Sequence, residues 1–384
     1  MSNKSLVRLI GGLLLVSLAA CSFAPATAPL PTETPTTVSP SQTPSPVPSP
    51  TILVTTIVTT PINGNNIDKL VSTQRAAVSN IQSIVWSPDS SSLVLVTQNT
   101  DAENHEVFGF TSLKASDLST RSVFTSVGNR IAAVANDGKT VAIIDASQKA
   151  FSIVDASRGS SSVILANKST DFLIQGISFS PDLRFIAVTK ADNWEVVLYD
   201  FSTFEQIKVL TGFETAAPVF DARFDASPQW LVWHSRGIIQ LQDVGTDELK
   251  GVLSHMDFVS SYVLSPDGTI LASSAGKTVN GVFQPVISIW DTNSSTEVKT
   301  LLTATEPTAG NVGYANALAF SPDGKLLAAA VGKDIQLWDP AAGTLLTTLS
   351  GHTDSILKLA FSPDQKSIAS AGLDNQLFLW QVPQ

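Results

Sequence analysis

The sequence predicts an all-β chain made of seven repeated units of short strands, preceded by a signal segment and a Pro/Thr/Ser-rich linker. Two recurring marks predict it. An aromatic- or Leu-Ser-Pro-Asp turn appears at Trp86-Ser87-Pro88-Asp89, Phe179-Ser180-Pro181-Asp182, Leu264-Ser265-Pro266-Asp267, Phe320-Ser321-Pro322-Asp323 and Phe361-Ser362-Pro363-Asp364. Weaker copies at Asn136-Asp137-Gly138 and Ala226-Ser227-Pro228 bring the turns to seven. The second mark closes a later strand: Ile153-Val154-Asp155, Leu198-Tyr199-Asp200, Leu241-Gln242-Asp243, Ile289-Trp290-Asp291, Leu337-Trp338-Asp339 and Leu379-Trp380-Gln381. Its spacings of 45, 43, 48, 48 and 42 residues define the repeat. Pro followed by Asp or Gly makes tight turns between short apolar runs, as an antiparallel meander requires.

Composition narrows the class. The 384 residues are 43% hydrophobic and 15% charged, too apolar for whole-chain disorder. A single cysteine excludes an internal disulfide scaffold. The formal charge of −10 argues against a nucleic-acid-binding face, so no nucleic-acid partner is expected.

Residues 1–20 carry Lys4 and Arg8 before an apolar stretch over 9–20. Twelve helical residues rise about 18 Å, short of the roughly 30 Å hydrocarbon core, so a signal peptide fits better than a span. The run ends Leu18-Ala19-Ala20-Cys21-Ser22, which resembles a bacterial lipobox. That resemblance implies cleavage before Cys21, a lipid thioether on it, and an extracytoplasmic protein held at the membrane by lipid alone. Residues 21–65 form the expected linker: the 22–61 stretch holds ten prolines, many Thr and Ser, and one charge, Glu33. Such a segment has little to bury and favours extended conformations. Its apolar part, 52–58, could add an edge strand instead.

Residues 66–384 form the repeat region. Period, turn chemistry and three strand ends of the Ile/Leu-x-Ile/Leu-Trp type resemble WD40 repeats, so the expected fold is a seven-bladed WD40-like β-propeller. The last repeat is the closest copy. There Gly351-His352, Ser370, Asp374 and Trp380 fall where the resemblance implies a structural His–Ser–Asp–Trp hydrogen-bond chain. Other repeats depart from it, with Gly212-Phe213 and Ser254-His255 in place of Gly-His, and are expected to cohere by apolar packing. The resemblance also implies that residues 67–73 supply the outermost strand of the last blade, because the chain stops after that blade's third strand. A deletion through Thr73 is then expected to destabilise far more than one through Thr60.

A search for chemistry finds little. His105, His234, His255 and His352 show no metal-ligand spacing, and no nucleophile elbow, phosphate loop or EF-hand loop is present. The regular acids Asp89, Asp182, Asp267, Asp323 and Asp364 sit in turns and are read as structural. No catalytic residue, metal or cofactor is expected. The expected function is non-catalytic: a scaffold that binds an unidentified protein or peptide at the bacterial cell envelope. The alternative is an enzyme or small-ligand binder using the central channel.

The candidate binding residues lie in loops on one face. A lengthened loop over 274–285 carries Asn280 and Phe283, and one over 303–316 carries Asn311, Tyr314 and Asn316. An extension over 99–106 carries His105, and Trp194 is placed at a blade-three turn. Exposed aromatics on such a face are usual interface anchors. Trp86, Trp290, Trp338 and Trp380 are assigned to the core.

Overall fold

The computed structural model describes residues 59–383, apart from 162, 192–194, 212–220, 226–228, 236, 255–257, 280–281 and 304–312. Seven antiparallel sheets follow one another along the chain, each with four main strands in meander order. Blade one is Ile81–Trp86, Ser92–Thr100, Glu106–Lys114 and Thr120–Val127. Blade two is Arg130–Val134, Thr140–Ile144, Ala150–Asp155 and Val163–Ser169. Blade three is Ile174–Phe179, Phe185–Lys190, Val196–Asp200 and Gln206–Leu210. Blade four is Asp221–Phe224, Trp230–Ser235, Ile238–Asp243 and Leu249–Ser254. Blade five is Val259–Leu264, Ile270–Val279, Val282–Asp291 and Thr296–Leu302. Blade six is Ala315–Phe320, Leu327–Val331, Asp334–Asp339 and Thr344–Ser350. Blade seven has Ile356–Phe361, Ser367–Gly372 and Gln376–Pro383. The first strands of successive blades face one another around the central channel.

The apolar core is a ring of seven seams. Each cluster of buried side chains draws on two neighbouring blades, from Val94, Phe110 and Val141 between blades one and two to Ala328, Leu337 and Ile368 between six and seven. Second strands therefore bury both faces: Leu93 and Leu95 meet blade seven, while Val94 and Val96 meet blade two. That explains their continuous apolar runs, where a sheet with one wet face would alternate. The fourth strands lie at the rim, where Val123, Ile207 and Val298 are exposed.

Every Ser-Pro-Asp turn is built alike. The Ser hydroxyl donates to the Asp carboxylate two residues on and accepts from the N–H five residues on, as in Ser87 to Asp89 at 2.6 Å and Ser92 N to Ser87 at 2.9 Å. The same pair of bonds recurs from Ser180, Ser265, Ser321 and Ser362. The following residue has positive φ, whether Gly268 and Gly324 or Ser90, Leu183 and Gln365. The Ser87 hydroxyl, followed by the Ser91 N–H, draws the Asp89 carboxyl down to about 2. The strand-end Asp plays a different part: Asp155, Asp200, Asp243, Asp291 and Asp339 accept backbone N–H groups two or three residues on, capping the turn into the fourth strand.

The last blade takes its fourth strand from the N-terminal side. Val71–Ala77 pairs antiparallel with Gln376–Pro383, from Val71 opposite Gln381 to Ala77 opposite Gln376. The strand thus begins four residues later than the expected 67–73. Ile67–Lys69 forms a 3-10 turn instead, because Ile67 and Leu70 are buried in the seam between blades six and seven. The described chain also joins the propeller before residue 66. Thr59–Thr60 pairs with Val382 and Pro383, and Ile62 is fully buried in that same seam. Residues 59–65, assigned by sequence to the linker, are here a strap: Ile62 N donates to Gln365 O at 2.8 Å, and Gln365 Nε2 donates back to Ile62 O at 2.7 Å.

Blade seven contains a continuous polar chain. Trp380 Nε1 donates to Ser370 Oγ at 2.8 Å, which lies 2.8 Å from His352 Nε2. His352 Nδ1 lies 2.9 Å from Asp374 Oδ2, which also accepts Thr353 N. Gly351 is needed beside it, since a Cβ there would stand 2.8 Å from the Trp380 ring. Blade five repeats the Trp–Ser step, Trp290 Nε1 to Ser273 Oγ at 2.8 Å. Blade six has Ala329 where register calls for that serine, and the buried Trp338 Nε1 has no partner among the described residues. Ala329→Ser should supply one and stabilise the protein by about 1 kcal/mol, read as a rise in melting temperature of a few degrees; a fall would show that the site cannot hold a hydroxyl.

Candidate functional site

The face that carries the loops is formed by the lead-in to each first strand and by the turns between second and third strands. Among the described residues its longest hairpin is in blade five, formed by the ten-residue strands Ile270–Val279 and Val282–Asp291. The sequence suggested a lengthened loop over 274–285; the structure has a hairpin instead. Ser274 pairs with Ile287 and the ladder runs without a break to Val279 opposite Val282. β-Branched residues on both arms favour such a ladder over a loop. Its base is tied to the fourth strand, because Lys277 Nζ bonds both Glu297 oxygens at 2.8 and 2.6 Å and Thr300 Oγ1 at 3.1 Å. Burial pushes the Glu297 carboxyl up, but the Lys277 and Thr300 donors outweigh it and hold it below its ordinary value.

The candidate residues that the structure describes do not converge on one spot. Trp194, Asn280 and Asn311 lie outside the described residues. Phe283 sits within the hairpin opposite Thr278. Tyr314 is half-buried just before the first strand of blade six. Thr303 and Gly313 pin the two ends of the loop before it through a 2.9 Å bond. Asn316 has an exposed surface, yet its Nδ2 donates to Ile356 O of the next blade at 3.1 Å. His105 is across the ring in blade one, exposed, with Nδ1 3.2 Å from Asp101 Oδ2. The backbone N–H of His105, with its ring, holds the Asp101 carboxyl below the usual range against the opposing cost of desolvation.

Sequence reasoning missed Phe258, which is 65% exposed in the lead-in to blade five, on the face of the hairpin whose Val282 is 62% exposed. Its only mark in the sequence is its place, an aromatic directly before the first strand of the blade, which by itself does not announce exposure. Leu173, before Ile174 in blade three, is placed the same way and is also exposed.

The polar side chains of the first strands serve largely to join blades. Arg130 donates to Gln175 O, Ser260 and Ser261 to Ala315 O, and Asn316 to Ile356 O, each reaching the next first strand. Arg223 donates to Tyr262 O at 2.6 Å and lies 4.2 Å over that ring. Asp225 accepts Leu264 N at 2.8 Å. A first strand has one edge without a sheet partner, and these bonds satisfy part of it. Burial lowers the Arg130 pKa, offset in part by Glu106. Among the described residues no group of three or more His, Cys, Asp or Glu could hold a metal ion.

Comparison with known proteins agrees with this geometry. The WD domain, G-beta repeat family matches residues 299–339 and 343–381. The chain is similar to the intraflagellar transport protein 122 homolog of Danio rerio, 40% identical over 63 residues, 16% of this chain and 5% of that one. It is similar to Protein groucho of Drosophila melanogaster, 30% identical over 155 residues, 38% of this chain and 20% of that one. It is also similar to the WD repeat-containing protein sll1491 of Synechocystis, 28% identical over 166 residues, 42% of each chain. The chain spans less than half the length of each of these relatives. With the repeat signature over its last two blades and a ring of seven four-stranded sheets, the chain is a WD40-repeat β-propeller.

Proposed function

We propose that this propeller is a non-catalytic scaffold whose loop face, at blades five and six, binds a protein or peptide, and that it works outside a bacterial membrane from a lipid anchor on Cys21. The observation that carries the binding surface is Phe258, two-thirds exposed beside a hairpin braced at its base by Lys277, Glu297 and Thr300. A large exposed aromatic on a rigid support offers contact area at low entropic cost, as interface anchors do. The inter-blade use of Arg130, Arg223 and Asn316 supports a rigid ring over a reacting channel. The lipobox-like run before Cys21 carries the anchor.

The test is capture from solubilised membranes with the full chain beside a Phe258→Ala, Val282→Ser, Tyr314→Ala variant that melts like the parent. The parent is expected to retain a partner that the variant holds at least tenfold less; equal retention overturns this surface. The anchor is tested separately. Cys21→Ser is expected to move the protein from the membrane fraction to the soluble fraction and to abolish incorporation of labelled palmitate. Unchanged fractionation would remove the anchor.

A further inference from the structure

The two ends of the channel differ in chemistry. Towards the loop face the first strands carry exposed Gln82, Arg130 and Asn316. At the opposite end, where the Ser-Pro-Asp turns lie, a cavity of about 500 Å³ is walled mainly by Trp86, Pro88, Pro181, Phe361 and Pro363, with Asn136 at its margin. Apolar surface at such a mouth gains by being covered.

We infer that this mouth is covered by the chain's own segment 49–58, Ser49-Pro50-Thr51-Ile52-Leu53-Val54-Thr55-Thr56-Ile57-Val58. Two observations select it over another occupant. The first is where the strap begins. Thr59 lies opposite Pro383, at the turn-face end of the last strand, and Ile62 is clamped to Gln365. Gln365 is two residues from Pro363 in the mouth wall, so the preceding chain arrives on this face. The second is continuity. Phe361 belongs both to the cluster that holds Ile62, Ile67 and Leu70 and to the wall of the mouth, so residues 49–58 would extend an apolar contact the strap already makes.

Length and composition agree. Ten extended residues reach about 33 Å, more than the ~20 Å radius of gyration of a compact unit this size. The segment has five Ile, Leu or Val side chains, one proline and no charge.

The test uses the full chain with Cys21→Ser, so that introduced cysteines are the only thiols. Ile52→Cys is paired with Asn136→Cys at the mouth or with Ser147→Cys, exposed at the loop-face turn of the same blade. Disulfide formation under mild oxidation is expected at least tenfold faster for the mouth pair. Adding Leu53→Ser, Val54→Ser and Ile57→Ser should reduce the mouth pair to the rate of the loop-face pair, with the melting temperature unchanged. Equal rates for the two pairs, or a mouth rate untouched by the three serines, would overturn the inference.

Discussion

Asp374→Ala is expected to lower stability by about 3–5 kcal/mol and the melting temperature by roughly 10 °C. The carboxylate side chain is 4% exposed and that of His352 is fully buried. Its removal strips His352 Nδ1 of its partner and leaves the N–H groups of Thr353 and Gln376 without their acceptor. A half-satisfied buried network costs more than an apolar one, because the orphaned groups keep the full desolvation penalty. Ser370→Ala should fall in the same range, since that one hydroxyl serves both Trp380 and His352. Asp374→Asn, which keeps an acceptor, should lose less.

The same residue gives the stability a pH signature. Burial raises the Asp374 pKa, but the Thr353 N–H and the His352 ring together outweigh it, and the folded value lies below the ordinary one. A group depressed on folding contributes fully above its unfolded pKa, near 4, and loses that contribution as pH falls through the folded value. Wild-type stability should therefore drop below pH 4 more steeply than that of Asp374→Asn. Parallel melting curves for the two across pH 2–6 would show that the carboxylate does not control the chain.

The second large effect concerns ring closure. Removing residues through Thr73 should cost about 5 kcal/mol or more, whereas removal through Thr60 should cost under about 1 kcal/mol. The longer cut takes Ile62, Ile67 and Leu70 out of the seam, each contributing about 1.5–3 kcal/mol, and half of the strand that completes blade seven. The shorter cut takes the two-residue pairing at Thr59–Thr60 together with the 49–58 segment, whose hold on the mouth is expected to leave the melting temperature unchanged. Equal melting temperatures for the two truncations would refute closure by the strap. Ile62→Asp in the full chain provides a check without shortening it: a buried unpaired carboxylate there should lower stability by several kcal/mol.

These two regions differ in how far residue order announces them. The Ser-Pro-Asp turns and the His352–Ser370–Asp374–Trp380 chain were legible because each is local: a hydroxyl two residues from its carboxylate, or a set at fixed offsets within one repeat. Seven turns meant seven blades for the same reason. The strap was only half legible. An outer strand before the first repeat was expected, but nothing in Ile62, Ile67 or Leu70 as residues says that they fill a seam between sheets some 250 to 320 positions further on.

The binding face divides the same way. Insertions show in the spacing, so the blade-five projection was found, but its hairpin form depends on cross-strand pairing that single residues do not announce. Phe258 was passed over because an aromatic beside a strand is more often buried than exposed, and only packing decides which. The polar residues of the first strands went unread as inter-blade links, since each donates to a backbone carbonyl about 40 residues away. The repeat, the turn chemistry and the count of blades follow from residue order, all being set by short-range bonding. Where the ring closes, which aromatic stays in water and what the channel's polar groups hold are settled only in the folded ring, because those outcomes rest on burial between segments far apart in the chain.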